Sequence, residues 1–139
     1  MKILLDTNIV LDLLLLREPF VKNAREIFLL IENGDIEGYL CATSVTTLHY
    51  LVGREKSKKE TNEIIENILT LFKVAPVDKK VLQIACKNNG NDYEDSVIYT
   101  ASDFLNIDII ITRDKKGFLR SDISTMTSKE FMAFWMTKL

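Results

Sequence analysis

The chain has 139 residues, 47% of them hydrophobic and 27% charged, which is the make-up of one globular domain with a sizeable core. Its 18 basic and 20 acidic residues leave a formal net charge of −2, so the whole molecule does not draw in a polyanion by long-range steering, although a local basic rim remains open to it. Cys41 and Cys86 have no metal-ligand spacing and read as buried free thiols, which excludes a disulfide framework and a Cys/His zinc site.

Met1 to Leu5 is an apolar run that stops at Asp6 and is followed by polar Thr7 and Asn8, after which apolar residues resume at helical spacing. This predicts a buried strand turning into a helix over Ile9 to Leu16, stopped by Arg17-Glu18-Pro19 because proline cannot continue the hydrogen-bond ladder. Asp6, Asn8 and Asp12 interrupt what would otherwise look like a signal peptide, and no run is long enough to span a bilayer; a cytoplasmic location is expected. In open parallel α/β sheets ligands collect outside the carboxyl ends of the strands, where Asp6 stands. The plainer alternative is that Asp6 only caps the helix. Further acids at equivalent junctions would separate the two.

Phe20, Ala24, Ile27, Phe28 and Ile31 mark a second helix closed by Asn33-Gly34. Glu37 to Ala42 reads as a strand, with Thr43 or Ser44 capping a helix that runs to about Val52. Arg54, Lys56, Lys58 and Lys59 read as a solvated connection to a helix striped by Ile64, Ile65, Ile68, Leu69 and Phe72. Lys73 to Val77 is a short strand, and Asp78 caps a helix through Val81, Leu82, Ala85 and Cys86 that ends at Asn88-Asn89-Gly90. His49, the single histidine, reads as a hydrogen-bonded core residue before a ligand or a base.

Asp92 opens a helix whose Val97, Ile98, Ala101, Phe104 and Leu105 share one face. Ile107 to Ile111 is a buried strand ending in Thr112-Arg113-Asp114, which repeats the opening pattern. A loop, Lys115-Lys116-Gly117, leads to a weak strand at Ile123 to Met126, and Thr127 with Glu130 forms a capping box for a last helix. That helix, Phe131 to Met136, is apolar on more than one face, which asks either for burial within the chain or for a partner. Strands alternate with helices throughout and no repeat or linker stands out, so a single α/β domain over 1–139 is expected, with a parallel sheet of four to five strands covered on both faces.

Asp6 follows the first strand, Asp114 the fourth, and Asp92 with Asp95 begins the helix between; on a shared sheet edge they converge. Asp92 and Asp95, three apart, repel one another on one helix face. The alternative is favourable alignment with the helix dipole, about 0.3–1 kcal/mol each. Carboxylates sharing a pocket raise one another's pKa, and a hard cation such as Mg2+ or Mn2+ relieves the repulsion through oxygen ligands. Such ions serve phosphate chemistry, so phosphodiester hydrolysis is the reaction inferred.

Leu4-Leu5-Asp6-Thr7-Asn8, Asp92-Tyr93-Glu94-Asp95 and Ile111-Thr112-Arg113-Asp114 together resemble, in order and spacing, the motifs of the PIN-domain ribonucleases, which include the VapC-like toxins of bacterial toxin-antitoxin pairs. The resemblance implies a PIN-like three-layer α/β/α fold and a metal-dependent endoribonuclease acting on single-stranded RNA. It implies Asp6, Asp95 and Asp114 as the catalytic, metal-binding acids, with Asn8 and Thr112 in supporting polar roles. The chain departs from the family in Ser44-Val45-Thr46-Thr47-Leu48-His49-Tyr50-Leu51, where an acid, most often Glu, is usual. Either Asp92 or Glu94 makes up the missing ligand, or a second metal is weakly held, or catalysis is diminished. Gly117 stands where many members carry a further Asp. Arg17, Arg113, Lys115 and Lys116 either rim the pocket and hold RNA phosphates or are simply solvated, and the same choice applies to the Arg54 to Lys59 stretch. An antitoxin protein and a second copy of the chain are the partners implied, the last helix offering a surface. The rival reading is a PIN-like domain with weakened catalysis that binds RNA or protein.

Overall fold

The computed structural model describes residues 1–87, 92–118 and 122–139. In chain order the elements are β1 (Lys2–Leu5), α1 (Thr7–Leu14), α2 (Val21–Glu32), β2 (Glu37–Cys41), α3 (Ala42–Gly53), α4 (Lys58–Leu71), β3 (Lys73–Ala75), α5 (Lys79–Lys87), α6 (Tyr93–Phe104), β4 (Ile109–Ile111), a 3-10 turn (Lys115–Phe118), β5 (Ser124–Met126) and α7 (Ser128–Met136). The strands form one sheet in the order β3-β2-β1-β4-β5, every neighbouring pair parallel.

Because successive side chains on a strand point to opposite faces, Ile3, Leu5, Leu40, Ile109 and Ile111 join the core built with α1 to α4 and α7, while Leu4, Tyr39, Cys41 and Ile110 pack with Val81 and Ala85 of α5 and Val97, Ile98 and Ala101 of α6. Three layers result, and the strands at the middle are apolar on both sides, as a doubly covered parallel sheet requires. The expected fold class is borne out, with five strands.

From the centre, β1, β2 and β3 step one way and β4 and β5 the other. Strand order therefore reverses between β1 and β4, and that crevice is where such sheets bind ligands. Leu5 pairs with Ile111, so Asp6 and Thr112 emerge side by side at the carboxyl edge. The Asp6 N–H donates to the Ile111 carbonyl and the Thr112 N–H to the Met126 carbonyl, each at 2.9 Å.

Several boundaries differ from expectation for local reasons. Helix α1 ends at Leu14, ahead of the proline, because the chain turns at Leu16, whose φ is 51°. A left-handed leucine leaves no mark in the sequence. Helix α3 starts at Ala42 behind Cys41, with no side-chain cap, so neither Thr43 nor Ser44 caps it. Ser57 accepts from the Glu60 N–H at 3.1 Å and starts α4 early, which moves Lys58 and Lys59 from the expected connection into the helix's first turn. Phe104, expected on the buried face of α6, is 49% exposed, with the Lys80 ammonium 5.6 Å from its ring centre. Cys86 is exposed and Cys41 buried, so only one of the two thiols is a core group. The expected stop of α5 at Asn88-Asn89-Gly90 lies outside the described residues.

The Thr127/Glu130 capping box is present. Helix α7 buries Phe131 and Met132, with Trp135 stacked on Phe131, while Met136 stays 61% exposed. Burial within the chain thus accounts for one face of this helix. Among the described residues no helix is long and apolar enough to cross a membrane.

Gly38, inside β2, lies beneath Ile31 of α2 and Phe72, the residue that follows α4. A Cβ there would lie 2.6 Å from Ile31 Cδ1 and 3.0 Å from Phe72 Cδ1. Gly38→Ala is expected to cost about 1–3 kcal/mol through overpacking. Urea unfolding measures it, and an unchanged midpoint would contradict this packing.

Candidate metal and catalytic site

Asp6 is nearly buried and serves two neighbours at once: its Oδ1 accepts from the Thr7 N–H and its Oδ2 from the Thr112 hydroxyl, both at 2.8 Å. It is therefore the N-cap of α1, and the capping reading holds without displacing the functional one. The Thr112 hydroxyl in turn accepts from the Asp114 N–H at 3.0 Å. One buried threonine thus ties the acid after β1 to the acid after β4. Burial pushes the Asp6 pKa up and the Asp114 charge adds to this, against the two hydrogen bonds and the Arg113 charge; the net direction is upward.

The third part of the site comes from the start of helix α6. Asp92 Oδ1 accepts from the N–H groups of Glu94 and Asp95, at 2.8 and 3.3 Å, so Asp92 caps the helix. The Tyr93 hydroxyl donates to the Leu82 carbonyl at 2.9 Å and holds this turn against α5. Among the described residues Asp95 has no such compensation: burial, then the charges of Asp92, Asp6, Asp114 and Glu94, all push its pKa up, to about 7. Asp6 thus feels the charge of Asp114, and Asp95 feels both.

The 3-10 turn after Asp114 closes the site. A Cβ on Gly117 would collide with Asp95 Oδ2, would lie 2.8 Å from Asp95 Cγ, and would be 3.5 Å from Asp114 Oδ2. Gly117 therefore lies against the Asp95 carboxylate with Asp114 at the same spot, and the bare backbone there is a spatial requirement.

Asn8, Asp92, Glu94 and Asp114 are exposed. Helix α3 offers no acid, and His49 sits at the surface, its Nε2 2.7 Å from Asn62 Oδ1. The expectation of a core histidine is corrected to a hydrogen-bonded surface one. Of the basic residues, Arg113 forks onto Asp12 (Nε to Oδ2 3.1 Å, Nη2 to Oδ1 2.9 Å) and lies with Cζ 4.1 Å from the centre of the Phe20 ring. Arg17 Nη1 is 4.0 Å from the same carboxylate, and Lys115 pairs with Glu130. Lys116 is exposed. Asp12 is a residue that sequence reasoning passed over. An acid on the buried face of an otherwise apolar helix was the available signal, since a buried charge needs a partner.

The donor set is all oxygen, without His or Cys, which suits a hard divalent cation. Among the described residues no three such side chains form a closed ligand cluster. That still fits Mg2+, which is usually held by one or two carboxylates while keeping several waters. Thr7 Oγ1 and Ser44 Oγ, in the first turns after β1 and β2, are buried without a hydrogen-bond partner among the described residues.

A family model described as PIN domain matches residues 2–116. The chain is 26% identical over 140 aligned positions, 98% of this chain and 96% of the relative, to the protein named Ribonuclease VapC1 of Aquifex aeolicus (strain VF5). Among solved structures it is similar to FitAcB from Neisseria gonorrhoeae, with TM-score 0.69, 24% identity and 91% and 98% of the two chains covered. It is similar as well to VapBC-1 from nontypeable Haemophilus influenzae, with TM-score 0.68, 19% identity and 93% and 99% covered. At those identities the solved structures speak to the fold.

An unfolded Asp releases its proton near 3.8, whereas Asp95 in the fold keeps one up to about 7. Between those values the native state binds the extra proton, so the metal-free protein is expected to lose stability as pH rises from about 4 to about 7 and to level off above. Asp95→Asn should flatten that decline and be no less stable than the parent at pH 8. Urea unfolding in EDTA across the interval checks both, and a parent whose stability rises with pH there would contradict the assignment.

Proposed function

Since the chain belongs to the PIN-domain family, the model of which spans residues 2–116, we propose that it is a divalent-metal-dependent endoribonuclease hydrolysing RNA phosphodiester bonds. The observation that supports this is electrostatic: at the β1/β4 crevice Asp95 is pushed to about 7 by burial and by the charges of Asp92, Asp6, Asp114 and Glu94. Such a group is at odds with its surroundings until a cation arrives.

Asp6, Asp95 and Asp114 would hold the ion, with Asp92 and Glu94 the nearest further acids in the chain and Asn8 a polar neighbour on α1. When bound, Mg2+ or Mn2+ supplies Lewis acidity toward phosphoryl oxygens. Thr112 fixes Asp6 Oδ2 and the backbone of Asp114, and this preorganises two of the acids. The proton that Asp95 holds near neutrality has to leave on cation binding, so binding and proton release are coupled. Lys116, exposed two residues beyond Asp114, would be the contact for phosphates, since the Arg113 donors are taken up by Asp12.

The resemblance to VapC-like toxins extends the proposal to an antitoxin partner, to a self-associating form, and to action in the cytoplasm where RNA is at hand. A second reading, a binding module with weakened catalysis, is favoured by one observation: α3 carries no acid and its His49 is paired to Asn62.

Purified protein with Mn2+ is expected to cut an RNA containing single-stranded loops and to stop with EDTA; Asp95→Asn should lower the rate by about 100-fold or more. Undiminished cleavage in EDTA or in Asp95→Asn would overturn the nuclease reading. RNA retention without cleavage, and with no heat of Mn2+ binding, would establish the binding module instead.

A further inference from the structure

We propose that Asp12, the buried acid of α1, is a positioning residue for the acid site: acting through Arg113, it sets where Asp114 stands and so governs cation affinity without touching the cation. The inference rests on the reading of Asp6, Asp95 and Asp114 as cation-holding acids.

Asp12 has no solvent exposure and sits in a helix whose neighbours are Ile9, Val10, Leu11, Leu13 and Leu14. Stability alone does not call for it, because a well-packed apolar residue usually serves as well as or better than a buried ion pair. What Asp12 does provide is a fixed seat for one guanidinium. Both of its oxygens accept from Arg113, its carbonyl accepts from the Arg17 N–H at 2.9 Å, and the Phe20 ring closes over the flat face of Arg113. The segment from Asp12 to Phe20 is thus a socket with Arg113 in it.

Residue 113 lies between the two residues that make the β4 side of the site. Thr112 holds Asp6 Oδ2 and the Asp114 N–H through one hydroxyl. On the far side Lys115 is paired to Glu130 of the α7 capping box. Asp114 is therefore bracketed by two anchored cations, and the Asp12 fork is the rigid one: two parallel hydrogen bonds fix the orientation of a planar group, whereas an ammonium is a point charge on a flexible stem. With its donors turned to Asp12, Arg113 acts on the ion through geometry, and its loss is felt in metal affinity before RNA affinity.

The test compares the parent with Asp12→Asn, Arg113→Lys and Phe20→Leu. Mn2+ affinity is read by calorimetry, RNA affinity by fluorescence anisotropy in EDTA, and folding by circular dichroism. For Asp12→Asn and Arg113→Lys, Mn2+ binding is expected to weaken about 10 to 100-fold, the range for residues that orient metal ligands. RNA affinity in EDTA should be unchanged, and the cleavage lost at low Mn2+ should return at saturating Mn2+. Phe20→Leu, at a half-exposed position, removes the stacking face without unpairing a charge and should weaken Mn2+ binding to a smaller degree; it decides the matter if the other two fail to fold. Folded variants that bind Mn2+ as the parent does, or that lose RNA affinity with Mn2+ affinity intact, overturn the proposal. A parent that binds no Mn2+ overturns the cation reading beneath it, which separates the two failures.

Discussion

The parallel pairing of β1 with β4, with Leu5 opposite Ile111, is the constraint from which the site follows. Each strand leaves the sheet after that pair, one into α1 and the other into the Thr112–Asp114 turn, and the reversal of strand order between them leaves the crevice open. A slip of one residue would turn Ile3, Leu5, Ile109 and Ile111 from one core to the other, so the burial of both sheet faces enforces the register. Hydrophobic packing, which has no chemistry of its own, therefore brings two carboxylates together that electrostatics would keep apart.

What the fold imposes on the acids it only partly offsets. Asp6 receives an N–H and a hydroxyl, Asp92 two N–H groups, and Asp12 a guanidinium fork; among the described residues Asp95 receives none of these, and its pKa is pushed up to about 7. The difference singles out Asp95 as the acid whose charge the described residues leave without a hydrogen-bonded partner. Comparable asymmetry between neighbouring carboxylates is how enzymes give identical side chains different roles.

Much of this was legible in the order of residues. An apolar run broken by an acid, once at Leu5-Asp6 and again at Ile111-Thr112-Arg113-Asp114, marked the two strand ends that emerge side by side, because strands buried on both faces leave such a plain signature. The Thr127/Glu130 box and the Asn33-Gly34 stop were equally plain, each being local chemistry. Whatever depended on distant partners was not legible. Asp12 looks like a stray polar residue until Arg113, 101 positions away, is placed beside it. The left-handed turn at Leu16 and the unassisted start of α3 at Ala42 have no side-chain signal, and the exposure of Phe104 and Cys86 depends on how α5 and α6 meet.

Gly117 bears on how Asp95 is held. A methyl group at 117 would meet the Asp95 carboxylate where it now stands, so a side chain gained there requires that carboxylate to turn away. The bare backbone at 117 is thus a spacer, and filling it would report how firmly the Asp95 side chain is held in its present orientation.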